Sequence, residues 1–248
     1  MKRLKVTCAY DGTDYQGWQR QSHAHSIQEV LEIMLSKLHQ HAITITASGR
    51  TDAGVHALGQ VFHFDTDKDL DEYHWQAAMN SMLPKDIRIQ KVEFVSNDFH
   101  ARFMAQGKRY DYLVTNRVND PFCQNYMALE RQALDVPAMQ ECAKVFVGTH
   151  DFTSFTSAKI DPRKSRVKTI TQLLIKEEAH GIRMIFVGNG FLRYMVRMIA
   201  QTLIEAGKHE LIKEDIVAML ESRDKQACRY KGAPQGLYLV EVSYGGEL

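Results

Sequence analysis

Cysteine is scarce in this chain. The 248 residues hold four, Cys8, Cys123, Cys142 and Cys228, far apart and with no CxxC pair. That argues against a disulfide framework or a zinc knuckle and fits a reducing cytosol. Long apolar runs are missing too. None approaches the roughly 20 residues that span a bilayer. The opening stretch, with Lys2, Arg3 and Lys5, alternates instead of building the apolar centre of a signal peptide, so none is expected. Excess charge of either sign is also absent. With 31 Lys and Arg against 30 Asp and Glu, any surface for a polyanion must be a local patch. No Walker or dinucleotide glycine loop and no GxSxG occurs. His23 with His25 and His56 with His63 are the tightest histidine spacings. Neither comes with Cys or carboxylates at ligand spacing, so no metal is expected.

What is present is ordinary globular material, 44% hydrophobic and 25% charged, enough to bury a sizeable core. Leu4, Val6, Cys8 and Tyr10 alternate with polar residues and predict a strand with one buried face. Ser26 with Glu29 three residues on forms a capping-box pattern. The helix that follows carries Ile27, Val30, Leu31, Met34, Leu35 and Leu38. "ITITAS" and "GQVFHFD" predict strands, Asp71 caps a second helix ending at Leu83-Pro84, and "DIRIQKVEFV" is another strand. The second half continues with the strand "KRYDYLVTN" and a helix opened by Asp135 and Pro137 and closed by Gly148. A hairpin about His180-Gly181, a helix over "FLRYMVRMIAQTLIEAG" capped by Gly207, and the strand "GLYLVEVSY" complete it. No composition shift marks a long linker. The expected class is α+β, as two lobes: residues 1–105, and residues 106–248.

Four stretches can carry chemistry. In "SGRTDAGVHA", Asp52 stands beside Arg50, with Gly49 and Gly54 free to take tight or positive-φ backbone. The segment can be a surface turn whose Asp caps the backbone. It can equally hold an ionised carboxylate suited to act as nucleophile or electrostatic stabiliser, and poor as a general acid. Only one acid stands out, which does not fit paired-carboxylate glycoside hydrolysis. In "KRYDY", Lys108, Tyr110 and Tyr112 share one strand face. They are either core aromatics or a platform for a nucleobase, with phosphates met by Lys108 and Arg109. Arg193 and Arg197 stand one turn apart on the predicted late helix. Arg197 borders the apolar stripe, where a half-buried guanidinium wants a carboxylate. "KIDPRKSRVK" sets five basic residues, Arg163, Lys164 and Arg166 among them, against one acid. It is either a solvated loop or a phosphate-tracking flap.

Together these residues resemble the TruA family of tRNA pseudouridine synthases over nearly the whole length. The resemblance runs through "VTCAYDGTDYQGWQRQ", "SIQEVLEIML", "SGRTDAGVHALGQVFHF", "FHARFMAQGKRYDY", "GTHDFTSF", "FLRYMVRMI" and "GLYLVEVSY". It implies the pseudouridine synthase fold: two ferredoxin-like lobes sharing one mostly antiparallel sheet, with a central active-site cleft. It implies Asp52 as nucleophile and Tyr110 stacked on the target base, also offered as acceptor of the C5 proton. Arg197 is implied to pair with the nucleophile, and Arg50 to help displace the base. Arg50, Lys108, Arg109, Arg163, Lys164 and Arg166 are the expected RNA contacts. The implied enzyme is a cytoplasmic homodimer acting on tRNA uridines 38, 39 and 40 of the anticodon stem-loop, with no cofactor or metal. Attack at C1′, attack at C6 and a glycal route all stay open. A non-catalytic RNA-binding protein on the same fold is the alternative reading, and Asp52 is what separates the two. The sequence departs from the usual family pattern at Arg193, at Gln201, at Lys168 and in the loop "YKGAPQ".

Overall fold

The computed structural model describes residues 1–117, 120–157 and 165–245. Contacts divide the chain into two compact units. One is Met1–Gln106 with Tyr238–Glu247, and the other is built on Gly107–Leu237.

In the first unit the elements are β1 (Lys2–Tyr10), α1 (Ile27–His39), β2 (Thr46–Ala47), β3 (His56–Thr66), α2 (Glu72–Met82) and β4 (Ile87–Val95). β1 alternates as expected. Leu4, Val6 and Cys8 are fully buried, while Lys5 and Thr7 are half-exposed. It pairs antiparallel with β3 (Leu4 opposite Phe64) and with β4 (Val6 opposite Val92). Ser26 Oγ accepts the Glu29 N–H at 3.4 Å, and Asp71 Oδ1 accepts the His74 N–H at 2.8 Å, so both predicted caps are formed. The Glu29 carboxylate lies 3.8 Å from Arg20 Nε.

The strand expected over "ITITAS" shrinks to Thr46–Ala47. Side chains of α1 take its backbone donors: Ser36 Oγ accepts from Ile43 N at 2.9 Å and Glu32 Oε1 from Ile45 N at 3.2 Å. Backbone groups bonded this way no longer extend a ladder. Trp18 meets Phe62 and Phe64 meets Trp75 in the core, where Ile27, Leu31 and Leu35 of α1 are also fully buried.

The second unit runs β5 (Gly107–Thr115), β6 (Ala128–Leu129), α3 (Val136–Ala143), β7 (Gly148–Asp151), β8 (Val167–Glu178), β9 (Gly181–Gly188), α4 (Met195–Gly207) and α5 (Lys213–Ser222). Its strands pair antiparallel in the order β5-β9-β8-β7, with β6 parallel to β5. α3 is capped by Asp135 and ends at Ala143, short of Gly148. α5 has no counterpart in the sequence reading, because only Ile216 and Leu220 of it are buried, too narrow a stripe to announce a helix. The last strand, β10 (Leu237–Ser243), falls within the first unit from Tyr238 onward. Tyr238 and Leu239 run parallel to His56 and Ala57 of β3. Both units are helices on mostly antiparallel strands, the α+β class expected from the pattern.

The start of α4 differs most from expectation. The predicted helix began at Phe191, whereas the observed one begins at Met195. Tyr194 before it is left-handed, at φ 68° and ψ −5°. The Arg193 carbonyl is taken instead by Thr156 Oγ1 at 3.1 Å and by the Ser157 N–H at 3.0 Å. With that acceptor occupied and Tyr194 turned, the helix cannot extend upstream. Arg193 and Arg197 therefore do not share a helical face. At its far end the helix runs through Gly207 to a cap at Lys208.

Candidate active site

In the first unit the "GRTD" segment bridges β2 and β3, and backbone contacts hold it. Trp18 N–H donates to Thr51 O at 3.1 Å, Gly54 N–H to Tyr15 O at 3.3 Å, and Val55 N–H closes back on Asp52 O at 3.2 Å. The Thr51 hydroxyl meets Tyr10 Oη at 2.8 Å in the interior. On the β2 side, Gln60 ties the segment down. Its Oε1 accepts from Ser48 Oγ at 2.7 Å and its Nε2 donates to Gly49 O at 3.0 Å.

Gly17, at φ +87°, lies directly under the loop. A Cβ there would sit 2.6 Å from Thr51 O and 3.0 Å from the Asp52 carbonyl carbon, so only glycine lets the two chains touch. Gly54 has φ +73°, as its place in the motif suggested. The outcome is a half-buried Asp52 on a rigid loop, with Arg50 exposed beside it. His56, at the start of β3, stacks on Tyr238 with ring centroids 4.7 Å apart. Its Nδ1 accepts the Gly12 N–H at 3.0 Å. Asp11 Oδ1 lies 3.2 Å from the same nitrogen.

In the second unit, β5 presents its two tyrosines differently. Tyr112 is fully buried and donates to Ala233 O at 3.0 Å. Burial pushes its phenol pKa up, and the carbonyl holds it as a donor. Tyr110, 9% exposed, packs edge-on against Phe191 at 5.3 Å. Of the two aromatics expected to form a platform, Tyr112 belongs to the core.

Arg109, expected on phosphates, is bidentate on the buried Asp111, with Nε and Nη2 each 2.9 Å from a carboxylate oxygen. Arg183 Nη1 shares that carboxylate at 2.9 Å. Its charge is thus offset inside the sheet. Lys108 is half-exposed. Arg197 is more deeply buried than its border position implied, at 7% exposure. Its Nε donates to Gly232 O at 2.8 Å, and its guanidinium carbon lies 5.5 Å from the Tyr194 ring centroid. The Gly232 N–H returns a bond to Arg197 O at 3.0 Å.

Arg166 is half-exposed, and its carbonyl accepts the Phe152 N–H at 3.0 Å, while Arg163 and Lys164 lie outside the described residues. Among the described residues no three His, Cys, Asp or Glu side chains are grouped to hold a metal ion, and no helix is long and apolar enough to cross a membrane.

These features can be set beside known proteins. The family described as tRNA pseudouridine synthase matches residues 7–104 and 142–245. That span includes both the Asp52 loop and the Arg197 helix. The chain belongs to the tRNA pseudouridine synthase family. It is 45% identical to the tRNA pseudouridine synthase A of Oceanobacillus iheyensis over 247 residues, which is 98% of this chain and 97% of that protein. It is 42% identical over 245 residues to the protein of that name from Bacillus subtilis, covering 98% and 99%. To the Exiguobacterium protein of that name it is 41% identical over 244 residues, 98% of each.

Within this pseudouridine synthase, Asp52 and Arg50 belong to the first unit, and Tyr110 and Arg197 to the second. Sequence reasoning missed the residues that fix these groups, namely Gln60, Thr51, Tyr194 and Gly232. The one signal that could have pointed to a close approach is the glycine of "DYQGW", Gly17.

Proposed function

We propose that this chain isomerises uridine to pseudouridine in the anticodon stem-loop of tRNA, at positions 38, 39 and 40, with Asp52 as nucleophile. Isomerisation breaks N1–C1′ and makes C5–C1′ with no net change in composition. It therefore asks for no redox equivalent and no hydrolytic water. It asks for an ionised acid in fixed geometry, a base that stays bound while it rotates, and an acceptor for the C5 proton.

The observation that carries the reading is the backbone clamp on Asp52: a single half-buried carboxylate on a loop that Gly17 and Trp18 hold at contact distance. Binding RNA alone gives no reason to fix an acid in this way. Tyr110, nearly buried on its strand, is proposed to stack on the flipped base. Arg50 is proposed to assist the flip, which costs a few kcal/mol. Arg197 supplies the buried guanidinium that the family resemblance pairs with the acid. We further propose a cytoplasmic homodimer, one tRNA contacting both subunits.

The test is tritium release from [5-³H]uridine-labelled tRNA. Wild type releases tritium. Asp52→Asn, which keeps shape and removes the nucleophile, is expected to lower turnover by at least about a thousandfold with tRNA affinity changed by a small factor. Residual turnover within tenfold of wild type removes Asp52 from the role. A wild-type protein that binds tRNA tightly and releases no tritium is a binding protein on this fold.

A further inference from the structure

Hydrogen bonds tie down the turn from Phe99 to Met104, between β4 and β5. Arg3 Nη1 donates to Phe99 O at 2.8 Å. Ala101, fully buried, is held on both sides. Its N–H donates to His63 Nδ1 at 3.1 Å, and its carbonyl accepts from Tyr244 Oη at 2.6 Å. The His100 carbonyl accepts the Met104 N–H at 3.0 Å. His100 Nδ1 accepts the N–H groups of Arg102 and Phe103, each at 3.2 Å. All of these residues belong to the first unit.

On this fixed turn the last side chains face water. Phe103 is 78% exposed and Met104 48%, with Arg102 exposed beside them. The Phe103 ring stacks on His100, with centroids 4.2 Å and planes 30° apart. The Arg102 guanidinium carbon lies 5.9 Å from the centroid of the same ring. A lone apolar side chain on a surface needs no explanation. Phe103 is different because its frame is rigid, its ring is already stacked, and a cation stands at its side.

A planar ring held mostly in water beside a guanidinium matches the two parts of a nucleotide, a flat base and an anionic phosphate. Charge narrows the occupant further. From Phe99 to Lys108 the sequence has cations and no acid. Among the described residues no carboxylate pairs with Arg102. A purely apolar partner would desolvate that guanidinium without compensating it, whereas a phosphate compensates it. Bases inside a duplex show only their edges, so the ring takes an unpaired base.

We propose that Phe103 and Arg102 form a stacking site for an unpaired nucleotide of the RNA substrate, with the base on the ring and a phosphate on the guanidinium. The inference rests on the tRNA reading above and names a contact within it.

The experiment measures binding of a tRNA transcript against salt for wild type, Phe103→Ala, Phe103→Leu, Phe103→Trp and Arg102→Ala. Sedimentation of each free protein and tritium release by wild type are run alongside. Phe103→Ala and Phe103→Leu are expected to bind roughly ten- to a hundredfold more weakly with the salt slope unchanged, because stacking is lost and no charge is. The loss in Phe103→Leu, which keeps apolar bulk, separates stacking from burial. Phe103→Trp is expected to keep the affinity, and the emission it gains over wild type is expected to be quenched by tRNA. Arg102→Ala is expected to lower the slope of log K against log salt by about 0.7. Wild-type affinity in both Phe103→Ala and Phe103→Leu overturns the site, as does emission in Phe103→Trp that tRNA leaves unchanged. If Phe103→Ala instead sediments as a smaller species, the patch joins two copies of the chain and the proposal falls. A wild type that releases no tritium overturns the isomerase reading alone, since the binding and emission data judge the nucleotide site without it.

Discussion

The Asp52 loop and the approach to α4 differ in their balance of main-chain and side-chain contacts. Around Asp52, beside the side chains of Gln60 and Tyr10, the contacts nearest the acid are main chain to main chain: Trp18 to Thr51, Gly54 to Tyr15, and Val55 to Asp52, over a glycine with no room for a methyl group. Around Arg197 side chains carry more of the contacts: a guanidinium on the Gly232 carbonyl, three cations near one ring, and a hydroxyl from Thr156 on the Arg193 carbonyl, beside main-chain bonds from Gly232 to Arg197 and from Ser157 to Arg193. A backbone clamp has few soft torsions and sets an atom to within a fraction of an ångström, as attack on a sugar or base carbon requires. A side-chain cluster adjusts through its rotamers. The stiffer balance falls where the nucleophile is proposed.

The comparison can be broken most directly at Gly17. Gly17→Ala forces a Cβ to within 2.6 Å of Thr51 O at a positive φ. We expect a loss of about 3 kcal/mol or more in urea unfolding, from overlap and left-handed strain together. In the fraction that remains folded, turnover should fall by at least about tenfold, because the displaced carbonyls carry Asp52 with them. Folded Gly17→Ala protein with wild-type tritium release would mean that the loop does not depend on this clamp.

The matching change in the other region is Gly232→Ala. Its Cβ would lie 2.4 Å from the Tyr112 hydroxyl and 3.2 Å from the Arg197 carbonyl. The nearest atom is a side-chain terminus, but one that is buried and held on Ala233. The expected cost is about 2 kcal/mol, the usual range for overpacking. Turnover at saturating tRNA should suffer less than in Gly17→Ala. If the two glycine variants lose equal turnover per folded molecule, the regions are equally rigid and the contrast drawn above is wrong.

The same difference explains what could be read from the sequence. Alternation in β1 and in the β8–β9 hairpin, and caps at Ser26, Asp71 and Asp135, are local signals, and each marked its element. Asp52 stood out because a backbone clamp needs glycines, and glycines are visible in a sequence. The short β2 was hidden because Ser36 and Glu32, side chains from another element, decide it. The true start of α4 was hidden because nothing in "FLRYMVR" announces a left-handed tyrosine; Thr156 and Ser157 impose the break from a distant segment. Lys231 and Arg193 meet at the Tyr194 ring only in three dimensions. Tertiary contacts of this kind override local propensity and leave no periodic trace.

A smaller effect tests the frame of the acid from another side. β3 leaves the Asp52 loop and carries His63 into the interior, where Nδ1 accepts the Ala101 N–H at 3.1 Å. His100 lies edge-on at 5.1 Å, and Phe99 at 6.0 Å. Burial, then the charges of Arg3 and His100, lower its pKa to about 4; Asp65 acts in the opposite sense. The sign follows from linkage. The unfolded chain takes up this proton near pH 6.5 and the folded chain only near 4, so the unfolded state binds more protons between those values. The stability tied to neutral His63 is complete above about pH 6.5 and is lost progressively as pH falls toward 4. At pH 5.5 the loss is about 1 kcal/mol. His63→Gln removes the titrating group and keeps an acceptor for Ala101. Urea unfolding at pH 7.5 and pH 5.5 should therefore show wild type losing about 1 kcal/mol more than the variant between the two. Because β3 is continuous with the clamped loop, tritium release by wild type should fall over the same interval by more than release by the variant. Equal acid responses in the two proteins would mean that His63 takes its proton without disturbing β3, and that the frame of Asp52 does not feel the charge.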